Sequence, residues 1–155
     1  MYKIPANTLF MGQHLVFVPE CHSTNNVLQQ LIQQKGLTDG MVVITDNQTE
    51  GRGQRGNTWE SEPGKNLTLS LALHPKFLLA RDQFLLNAFA SLAVRDCITR
   101  FIPAISVQIK WPNDIMLHGK KTCGILIENQ IRDQFIQQAI VGIGLNVNQV
   151  GFSFP

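Results

Sequence analysis

Apolar and polar residues alternate along much of the second half of the chain, which predicts strands of a β-sheet. Leucine occupies every second position from 67 to 73, the two-residue period of a strand with one apolar face. The same period runs through 105–111 and ends at Pro112. Three later apolar segments predict further strands, and the residues between them favour hairpin turns. The strands are predicted at 115–117, 122–130 and 135–147, and the turns at 118–120 and 132–134.

Helical spacing of apolar residues appears in two segments. From 27 to 32, apolar residues lie between Ser23, a candidate N-cap residue, and Gly36, which is placed to end a helix. A longer helix is predicted over 81–101, with Pro103 beyond its end. This segment carries an apolar stripe of the kind that packs on a core. The stripe consists of Phe84, Leu85, Ala88, Phe89 and Leu92.

Two short strands complete the prediction, one at 14–18, stopped by Pro19, and an apolar, β-branched one at 41–45. Strands joined by helices come early and a meander comes late. We therefore predict an α+β domain with a mixed, largely antiparallel sheet and helices packed on one side. The length of 155 residues suits one domain, residues 1–155, with a single core. With 44% hydrophobic and 15% charged residues, the chain is expected to fold rather than to remain disordered.

The net charge is only +2 and no basic run concentrates it, so nothing in the composition indicates a nucleic-acid surface. Cys21, Cys97 and Cys123 are far apart and never form a C-x-x-C pair, which favours reduced thiols over a disulfide or zinc site. The N-terminus lacks the layout of a signal peptide, and the longest apolar stretch, 84–94, is too short to span a bilayer. We therefore expect a cytoplasmic protein that binds neither DNA nor a membrane.

The segment Gly51-Arg52-Gly53-Gln54-Arg55-Gly56 matches the letters of the dinucleotide-binding fingerprint G-x-G-x-x-G. That fingerprint needs a helix that opens inside it, but residues 57–64 show no helical pattern and include a Pro-Gly turn. A dinucleotide site is therefore excluded. Guanidinium groups bind carboxylate or phosphate at two points, so a loop that orders around an anionic ligand is one interpretation. A solvated turn with incidental arginines is the other.

Two other features suggest chemistry. The segment Lys110-Trp111-Pro112-Asn113-Asp114 ends a strand with a cation, an aromatic ring, an amide and an acid, and Asp114 could hold a metal ion or fix a lysine. Glycines interrupt apolar strands at Gly124, Gly142 and Gly144. A glycine within a strand indicates either the close approach of another group or a bulge or bend.

Six segments of the chain, taken in order, resemble the biotin–protein ligases. The glycine–arginine loop with its tryptophan and the Lys-Trp-Pro-Asn-Asp segment carry most of the resemblance, which covers about residues 23–148. The segments are Ser23-Thr24-Asn25-Asn26, Gln48 to Trp59, Asn66 to Ser70, Lys110 to Asp114, Lys121 to Glu128, and Gly142 to Asn148.

The resemblance implies a fold like that of class II aminoacyl-tRNA synthetases and biotin ligases, and an ATP-dependent ligation. Biotin and ATP would form biotinyl-5′-AMP with release of pyrophosphate. Biotin would then pass to a lysine of a biotin carboxyl carrier protein, part of acetyl-CoA carboxylase or a related carboxylase. Because both reactants of the first step are anions, positive side chains and Mg²⁺ are expected to offset their repulsion. The alternatives are a lipoate–protein ligase and a module that binds biotin or its adenylate without transfer.

The same resemblance implies roles for individual residues. Biotin would be bound by Ser23, Thr24, Asn25, Gln48, Arg52, Gly53, Gln54, Lys121 and Gly124. The nucleotide would be bound by Arg55, Trp59, Lys110, Asn113 and Asn146. The catalytic groups would be Lys121, Arg52, Lys110 and Asp114, and Asp114 is also the candidate Mg²⁺ ligand. We expect Gly124 to leave room for the ligand.

Gln54 occupies a position that is often arginine in the family, so the loop carries less charge and its retention of the adenylate is expected to differ. The family also continues past the last strand with more helix and a small β-barrel. We therefore expect a catalytic domain truncated at its C-terminal end, with exposed apolar surface where the missing part would dock. No DNA-binding helix-turn-helix precedes residue 1, so no repressor function is expected. The resemblance is compatible with a homodimer.

Overall fold

A computed structural model describes residues 8–36 and 38–152. Within them the chain forms two α-helices, one seven-stranded sheet and one two-stranded ribbon. The helices are α1 (Thr24–Lys35) and α2 (Phe84–Phe101). The strands are β1 (Leu15–Cys21), β2 (Val42–Gln48), β3 (Gly51–Arg52), β4 (Thr58–Trp59), β5 (Asn66–Leu73), β6 (Val107–Lys110), β7 (Asp114–Leu117), β8 (Lys120–Arg132) and β9 (Phe135–Asn146).

The main sheet has the strand order β1-β2-β5-β9-β8-β7-β6, and β3 pairs with β4 in the ribbon. Strands β1 and β2 run parallel, whereas every other neighbouring pair is antiparallel. The predicted fold class, an α+β domain with a mixed and largely antiparallel sheet, is confirmed. The predicted turns are confirmed as well. His118 and Gly119 join β7 to β8 with positive φ at both positions, and Asp133, also at positive φ, begins the turn between β8 and β9.

Strand β1 extends beyond the predicted limit. It runs through Pro19 to Cys21 and pairs with β2 on both sides of the proline, with Val18 opposite Thr45 and Glu20 opposite Asn47. The prediction that Pro19 stops the strand is wrong because β1 lies at the edge of the sheet, where one side of the strand makes no ladder hydrogen bonds.

Helix α1 begins and ends where the sequence predicts. Ser23 is its N-cap residue in an extended conformation, but the serine side chain makes no capping hydrogen bond. The backbone N–H of Thr24 instead donates to Oε1 of Gln48, at 2.9 Å, so a side chain from β2 satisfies the first turn. Gly36 ends the helix at φ +85° and donates its N–H to the carbonyl of Ile32.

The two helices lie on opposite faces of the sheet. Ala72 of β5 packs in a cluster with Leu28 of α1, whereas its neighbour Leu71 packs in a cluster with Ala90 of α2. Successive strand residues point to opposite faces, so each helix covers a different face. The expectation that the helices pack on one side is therefore wrong. Because the central strands carry apolar side chains on both faces, each face needs a cover.

Helix α2 turns a different side towards the sheet than the predicted stripe. Phe89 and Leu85 are 65% and 55% exposed, whereas Ala90 and Ser91 are buried. The small residues let the helix approach the sheet closely, and the larger side chains remain outside. The described part of α2 therefore presents an apolar surface to solvent. Neither helix in the described ranges combines the length and apolar character needed to cross a membrane.

Candidate functional site

A cleft, open to solvent, lies beside the first turn of α1 on the face of the sheet that this helix covers. Its walls come from α1, from β2 and from the ribbon, and its floor comes from β5, β8 and β9. The lining residues are Ser23, Thr24, Asn25, Gln48, Arg52, Gly53, Gln54, Trp59, Thr68, Leu69, Asn113, Lys121, Gly124, Ile125, Leu126, Gly142, Ile143 and Gly144. The structure thus brings together most of the predicted site residues, including every one assigned to biotin.

The glycines of the floor are explained by the close approach of side chains. Gly124 of β8 pairs with Gly144 of β9, and the indole of Trp59 lies against both. A Cβ atom on Gly124 would lie 2.9 Å from Cζ3 of Trp59, and one on Gly144 would overlap the same ring. A Cβ atom on Gly142 would lie 2.5 Å from Oδ1 of Asn25. The space that we expected Gly124 to leave for a ligand is therefore occupied by Trp59, which itself lines the cleft.

Buried polar groups form one wall of the cleft. Thr24, Asn25 and Ser70 are at most 4% exposed. The Ser70 hydroxyl lies 2.7 Å from Oγ1 of Thr24 and 2.5 Å from Oδ1 of Asn25, and Thr24 Oγ1 donates to Oε1 of Gln48 at 3.3 Å. Burial of polar groups is costly unless they are hydrogen-bonded, so this network holds donors and acceptors in fixed positions at the cleft.

Two cations reach the cleft, and each lies beside a carboxylate. Nζ of Lys121 is 2.8 Å from Oδ1 of Asp114 and 5.7 Å from the centroid of a Trp59 ring. Nη2 of Arg52 is 3.2 Å from the carboxylate of Glu128. Of the two roles considered for Asp114, fixing a lysine is the one seen in the structure. Opposite charges thus hold both cations in place at the cleft without burying them.

Four predicted site residues lie outside the lining: Arg55, Lys110, Asp114 and Asn146. Lys110 is exposed and pairs with Asp114 in the ladder between β6 and β7. Arg55 is exposed in the ribbon loop, with a positive φ of 57°. These two cations border the site rather than enter it, and of the four only Asp114 makes a side-chain ion pair with a lining residue.

Buried polar atoms without partners mark the far end of the floor. Within the described residues, Oδ1 of Asn146 and Nε1 of Trp59 are buried and make no hydrogen bond. An unsatisfied buried acceptor or donor is costly, and a ligand that offers the complementary atom removes that cost. The pair therefore suits a ligand with both donors and acceptors, such as a nucleobase.

The part of the chain that the structure describes holds no cluster of three or more metal-ligating His, Cys, Asp or Glu side chains. Mg²⁺ needs no such cage, because it is commonly bound through one or two carboxylates together with water and substrate phosphates. Asp114, 17% exposed and next to the cleft, fits that type of binding.

None of the three cysteines lines the cleft. Cys21, Cys97 and Cys123 are free, as expected. Burial raises the pKa of the Cys123 thiol to about 12, with the nearby Lys121 opposing that rise and Asp114 adding to it. Burial also raises the pKa of Cys21. Raised pKa values lower the fraction of reactive thiolate at neutral pH.

The prediction assigned no role to several residues that shape the site: Asn26, Thr68, Ser70, Glu128, Gly142 and Gly144. The leucines of β5 suggested that their side of the strand is the buried one. In the structure, Thr68 and Ser70 on the opposite side are buried and the four leucines are only half-buried. The small polar residues placed between the leucines could have revealed that their side of β5 is buried, because a strand that faces solvent more often carries charged or long polar side chains.

The chain is similar to known proteins over most of its length. A family model described as "Biotin/lipoate A/B protein ligase family" matches residues 18–146. The chain is 38% identical to the "Bifunctional ligase/repressor BirA" of Bacillus spizizenii, over 96% of this chain and 45% of that protein. It is 32% identical to the "Biotin--[acetyl-CoA-carboxylase] ligase" of Mycobacterium tuberculosis, over 88% of this chain and 50% of that protein. The chain thus spans about half the length of these relatives.

Solved structures agree with these sequence relationships. The biotin protein ligase of Leishmania major in complex with biotinyl-5-AMP has a TM-score of 0.76 and 27% identity, over 90% of this chain and 60% of that one. The biotin protein ligase of Aquifex aeolicus in complex with biotin and ATP has a TM-score of 0.71 and 32% identity, over 92% of this chain and 56% of that one. The predicted biotin-ligase-like fold is confirmed.

Proposed function

The chain belongs to the biotin/lipoate A/B protein ligase family, and we propose that it is the catalytic core of an ATP-dependent biotin–protein ligase. The core would make biotinyl-5′-AMP from biotin and ATP and pass the biotinyl group to a lysine of a carrier protein. The relative from Mycobacterium tuberculosis and the two solved structures favour biotin over lipoate as substrate, because all three are named as biotin ligases. The observation that carries the proposal is the convergence of Lys121 and Arg52 on one cleft beside a buried polar wall.

The charges of the cleft suit the first step of this reaction. A carboxylate that attacks a phosphate must overcome the repulsion of two anions, and fixed cations lower that barrier. Lys121 is suited to hold the carboxylate and then the mixed anhydride, since its ammonium group lies over the floor close to Trp59. Arg52 is suited to neutralise the adenylate phosphate from the ribbon. Lys110 and Arg55, at the border, would meet the remaining phosphates.

The two ends of the cleft suit the two halves of the adenylate. We assign the ureido ring of biotin to Ser23, Thr24, Asn25 and Gln48, because their buried hydroxyl and amide groups offer donors and acceptors in fixed positions. We assign the adenine to the opposite end, which includes Trp59, Asn113 and Asn146. The unsatisfied atoms of Trp59 and Asn146 support that assignment. Gly53 and Gln54 would contact the chain that joins the two halves, and Gly124 would contribute by seating Trp59.

Asp114 would bind Mg²⁺ together with the phosphates of ATP. The ion would supply charge neutralisation at the phosphates and at the departing pyrophosphate. The same carboxylate also holds Lys121 in place. The two roles are compatible because a carboxylate has two oxygens and only Oδ1 faces the lysine.

The second step needs an acceptor. We propose the biotin carrier of a carboxylase as that acceptor, because the relative from Mycobacterium tuberculosis is named for acetyl-CoA carboxylase. A cytoplasmic location and a homodimer remain part of the proposal. The ribbon would close over the adenylate and exclude water, which otherwise hydrolyses it.

The experiment measures pyrophosphate release with biotin and, separately, with lipoate, and then the transfer of label to an added carrier domain. We expect release with biotin, little with lipoate, and transfer to the carrier. Release without transfer would reduce the proposal to a module that forms and holds the adenylate. Binding alone is checked by the melting temperature, which should rise with biotin and rise further with MgATP, because a ligand of the folded state stabilises it by mass action.

A further inference from the structure

Ser70 lies behind the polar wall of the cleft. It is on β5, it is 0% exposed, and it does not line the cleft. Its hydroxyl oxygen is nevertheless 2.5 Å from Oδ1 of Asn25 and 2.7 Å from Oγ1 of Thr24, two residues that do line it. Any effect of Ser70 on a ligand in the cleft must therefore act through these two side chains.

The side chain of Asn25 is seated between two strands. It lies over Gly142 of β9, where a Cβ atom would come within 2.5 Å of Oδ1. Ser70 is opposite Gly142 on one neighbouring strand, β5, and Glu128 is on the other, β8. Nδ2 of Asn25 donates to the carboxylate of Glu128 at 2.6 Å. Because a carboxylate only accepts hydrogen bonds, Glu128 fixes Nδ2 on its own side and Oδ1 on the side of Ser70.

This orientation determines where the Ser70 proton lies. Oδ1 of Asn25 carries no proton, so the contact at 2.5 Å uses the only proton of the Ser70 hydroxyl. Ser70 then has no proton left for Thr24 and faces it as an acceptor. A proton in the contact of 2.7 Å between the two hydroxyls can come only from Thr24.

The proton of the Thr24 hydroxyl is thereby committed to the interior of the protein. Two acceptors within the chain lie near it, Oγ of Ser70 at 2.7 Å and Oε1 of Gln48 at 3.3 Å. Whichever of them takes the proton, none remains for a ligand, and only the lone pairs of Oγ1 can face the cleft. Oε1 of Gln48 is an acceptor as well, and it also receives the backbone N–H of Thr24. This part of the wall therefore suits a ligand that brings N–H donors.

We propose that Ser70 is a positioning residue that makes the Thr24 hydroxyl an acceptor only, and so selects ligands with an N–H donor at that point. Ser70 donates to Asn25, and Asn25 donates to Glu128, whose carboxylate sets the direction of the whole series. The arrangement of protons belongs to the chain itself. Its meaning for the substrate, that Thr24 accepts an N–H of the ureido ring of biotin, rests on the proposed function.

The test uses two analogues of biotin, in each of which a different ureido N–H is replaced by an oxygen atom. Each analogue keeps the shape of the ring but offers an acceptor in place of a donor. One of the two should bind the full-length wild type about 100-fold more weakly than biotin, because its ring oxygen would face the lone pairs of Thr24. Isothermal titration calorimetry measures the ratio of dissociation constants. Affinities of both analogues equal to that of biotin would overturn the proposal.

Ser70→Ala removes the main acceptor of the Thr24 proton, so the Thr24 hydroxyl can rotate and donate to a ring oxygen. The ratio of dissociation constants between the weaker analogue and biotin should fall to about tenfold or less. Ser70→Thr keeps the hydroxyl and should keep the wild-type ratio. A wild-type ratio in Ser70→Ala would limit Ser70 to packing and contradict its positioning role.

Ser91→Ala is the matched control. Ser91 is 1% exposed and its hydroxyl donates to the carbonyl of Pro112 at 3.0 Å, but it lies on α2, across the sheet from the cleft. The variant loses a buried hydroxyl and should lower the melting temperature as Ser70→Ala does. The ratio of dissociation constants should stay at the wild-type value, which separates a loss of stability from a loss of selectivity.

A double-mutant cycle tests whether Ser70 acts through Thr24. Thr24→Val replaces the hydroxyl with a methyl group of similar shape. In that background, Ser70→Ala should leave the ratio of dissociation constants unchanged, because the group through which Ser70 acts is gone. A further change in the ratio would show that Ser70 acts by another route and would overturn the proposal.

Neutron diffraction from crystals of the wild type in D₂O tests the arrangement of protons without a ligand, and it remains decisive if Ser70→Ala fails to fold. The deuteron of Ser70 should lie on the line to Oδ1 of Asn25, and that of Thr24 should point to Ser70 or Gln48. A Ser70 deuteron directed at Thr24 would overturn the proposal whether or not biotin binds. A wild type that binds no biotin would contradict the proposed function and leave the neutron result to decide the arrangement.

Discussion

The ammonium group of Lys121 and the carboxylate of Asp114 lie 2.8 Å apart on neighbouring strands, β8 and β7, at the edge of the cleft. The pair holds a cation at the site. In the proposed reaction, an anionic substrate would take the place of Asp114 as the partner of Lys121. The pair would then act by electrostatic preorganisation, which lowers a barrier because the charges need not reorient during the reaction.

Lys121→Ala should slow adenylate formation roughly 100-fold or more while weakening biotin binding by less than about tenfold. The reason is that the charge of Lys121 matters most when negative charge concentrates on the reacting oxygens. Single-turnover rates of pyrophosphate release and equilibrium binding of biotin measure the two quantities. Lys120→Ala is the control, because Lys120 is also on β8 and does not line the cleft. Equal losses in rate and affinity would contradict the role of Lys121 in charge neutralisation.

Asp114→Asn should raise the Mg²⁺ concentration that gives half of the maximal rate by about tenfold, since the variant keeps the shape of the side chain but loses a charged ligand. The measurement is the rate of adenylate formation over a range of Mg²⁺ at saturating ATP. Asp133→Asn, in the turn between β8 and β9, is the matched control. An unchanged Mg²⁺ requirement with a lower maximal rate would limit Asp114 to holding Lys121.

Gly144→Ala should displace Trp59 from the floor, because the added methyl group would overlap the indole. We expect the emission of Trp59 to shift to longer wavelength and its quenching by acrylamide to increase, together with weaker binding of ATP. The background is Trp111→Phe, since Trp111 is the second tryptophan and is exposed.

Gly151→Ala is the control for this change, because nothing lies within 4 Å of a methyl group at that position. If the emission of Gly144→Ala matches that of Gly151→Ala, the packing of Trp59 on the glycine floor does not persist in solution.

Much of the fold could be predicted from the chain because local patterns decide it. The alternation in β5 and the turn at His118 and Gly119 depend on residues close in sequence, so the sequence alone predicts them. The choice of the buried side of α2 could not be predicted in this way. Both sides of that helix are apolar, and which side meets the sheet depends on how closely Ala90 and Ser91 allow the two elements to approach.

The site, like the fold, has one part that could be predicted from the sequence and one part that could not. The resemblance to the ligases identified Lys121 and Arg52 and the polar residues at the start of α1, and the structure brings these together in one cleft. Glu128 had no assigned role, since its importance lies in contacts with Asn25 and Arg52, 103 and 76 positions away. A single sequence does not reveal such a contact, because no local pattern links residues that meet only after the sheet has formed.

Cys123 gives a prediction that tests the fold independently of function. Burial raises its pKa to about 12 in the folded state, whereas a thiol in the unfolded chain ionises near 9. The contribution of the buried Cys123 thiol to the free energy of unfolding is therefore fully present below pH 9 and is lost as the pH rises from 9 towards 12. Relative to Cys123→Ala, the wild type should lose about 1.4 kcal/mol of its free energy of unfolding per pH unit above pH 9, measured by urea unfolding at several pH values.

Cys97→Ala, at an exposed thiol, is the control, and its free energy of unfolding should differ less from that of the wild type over the same pH range. A constant gap between wild type and Cys123→Ala from pH 8 to 10.5 would mean that Cys123 is not buried in solution.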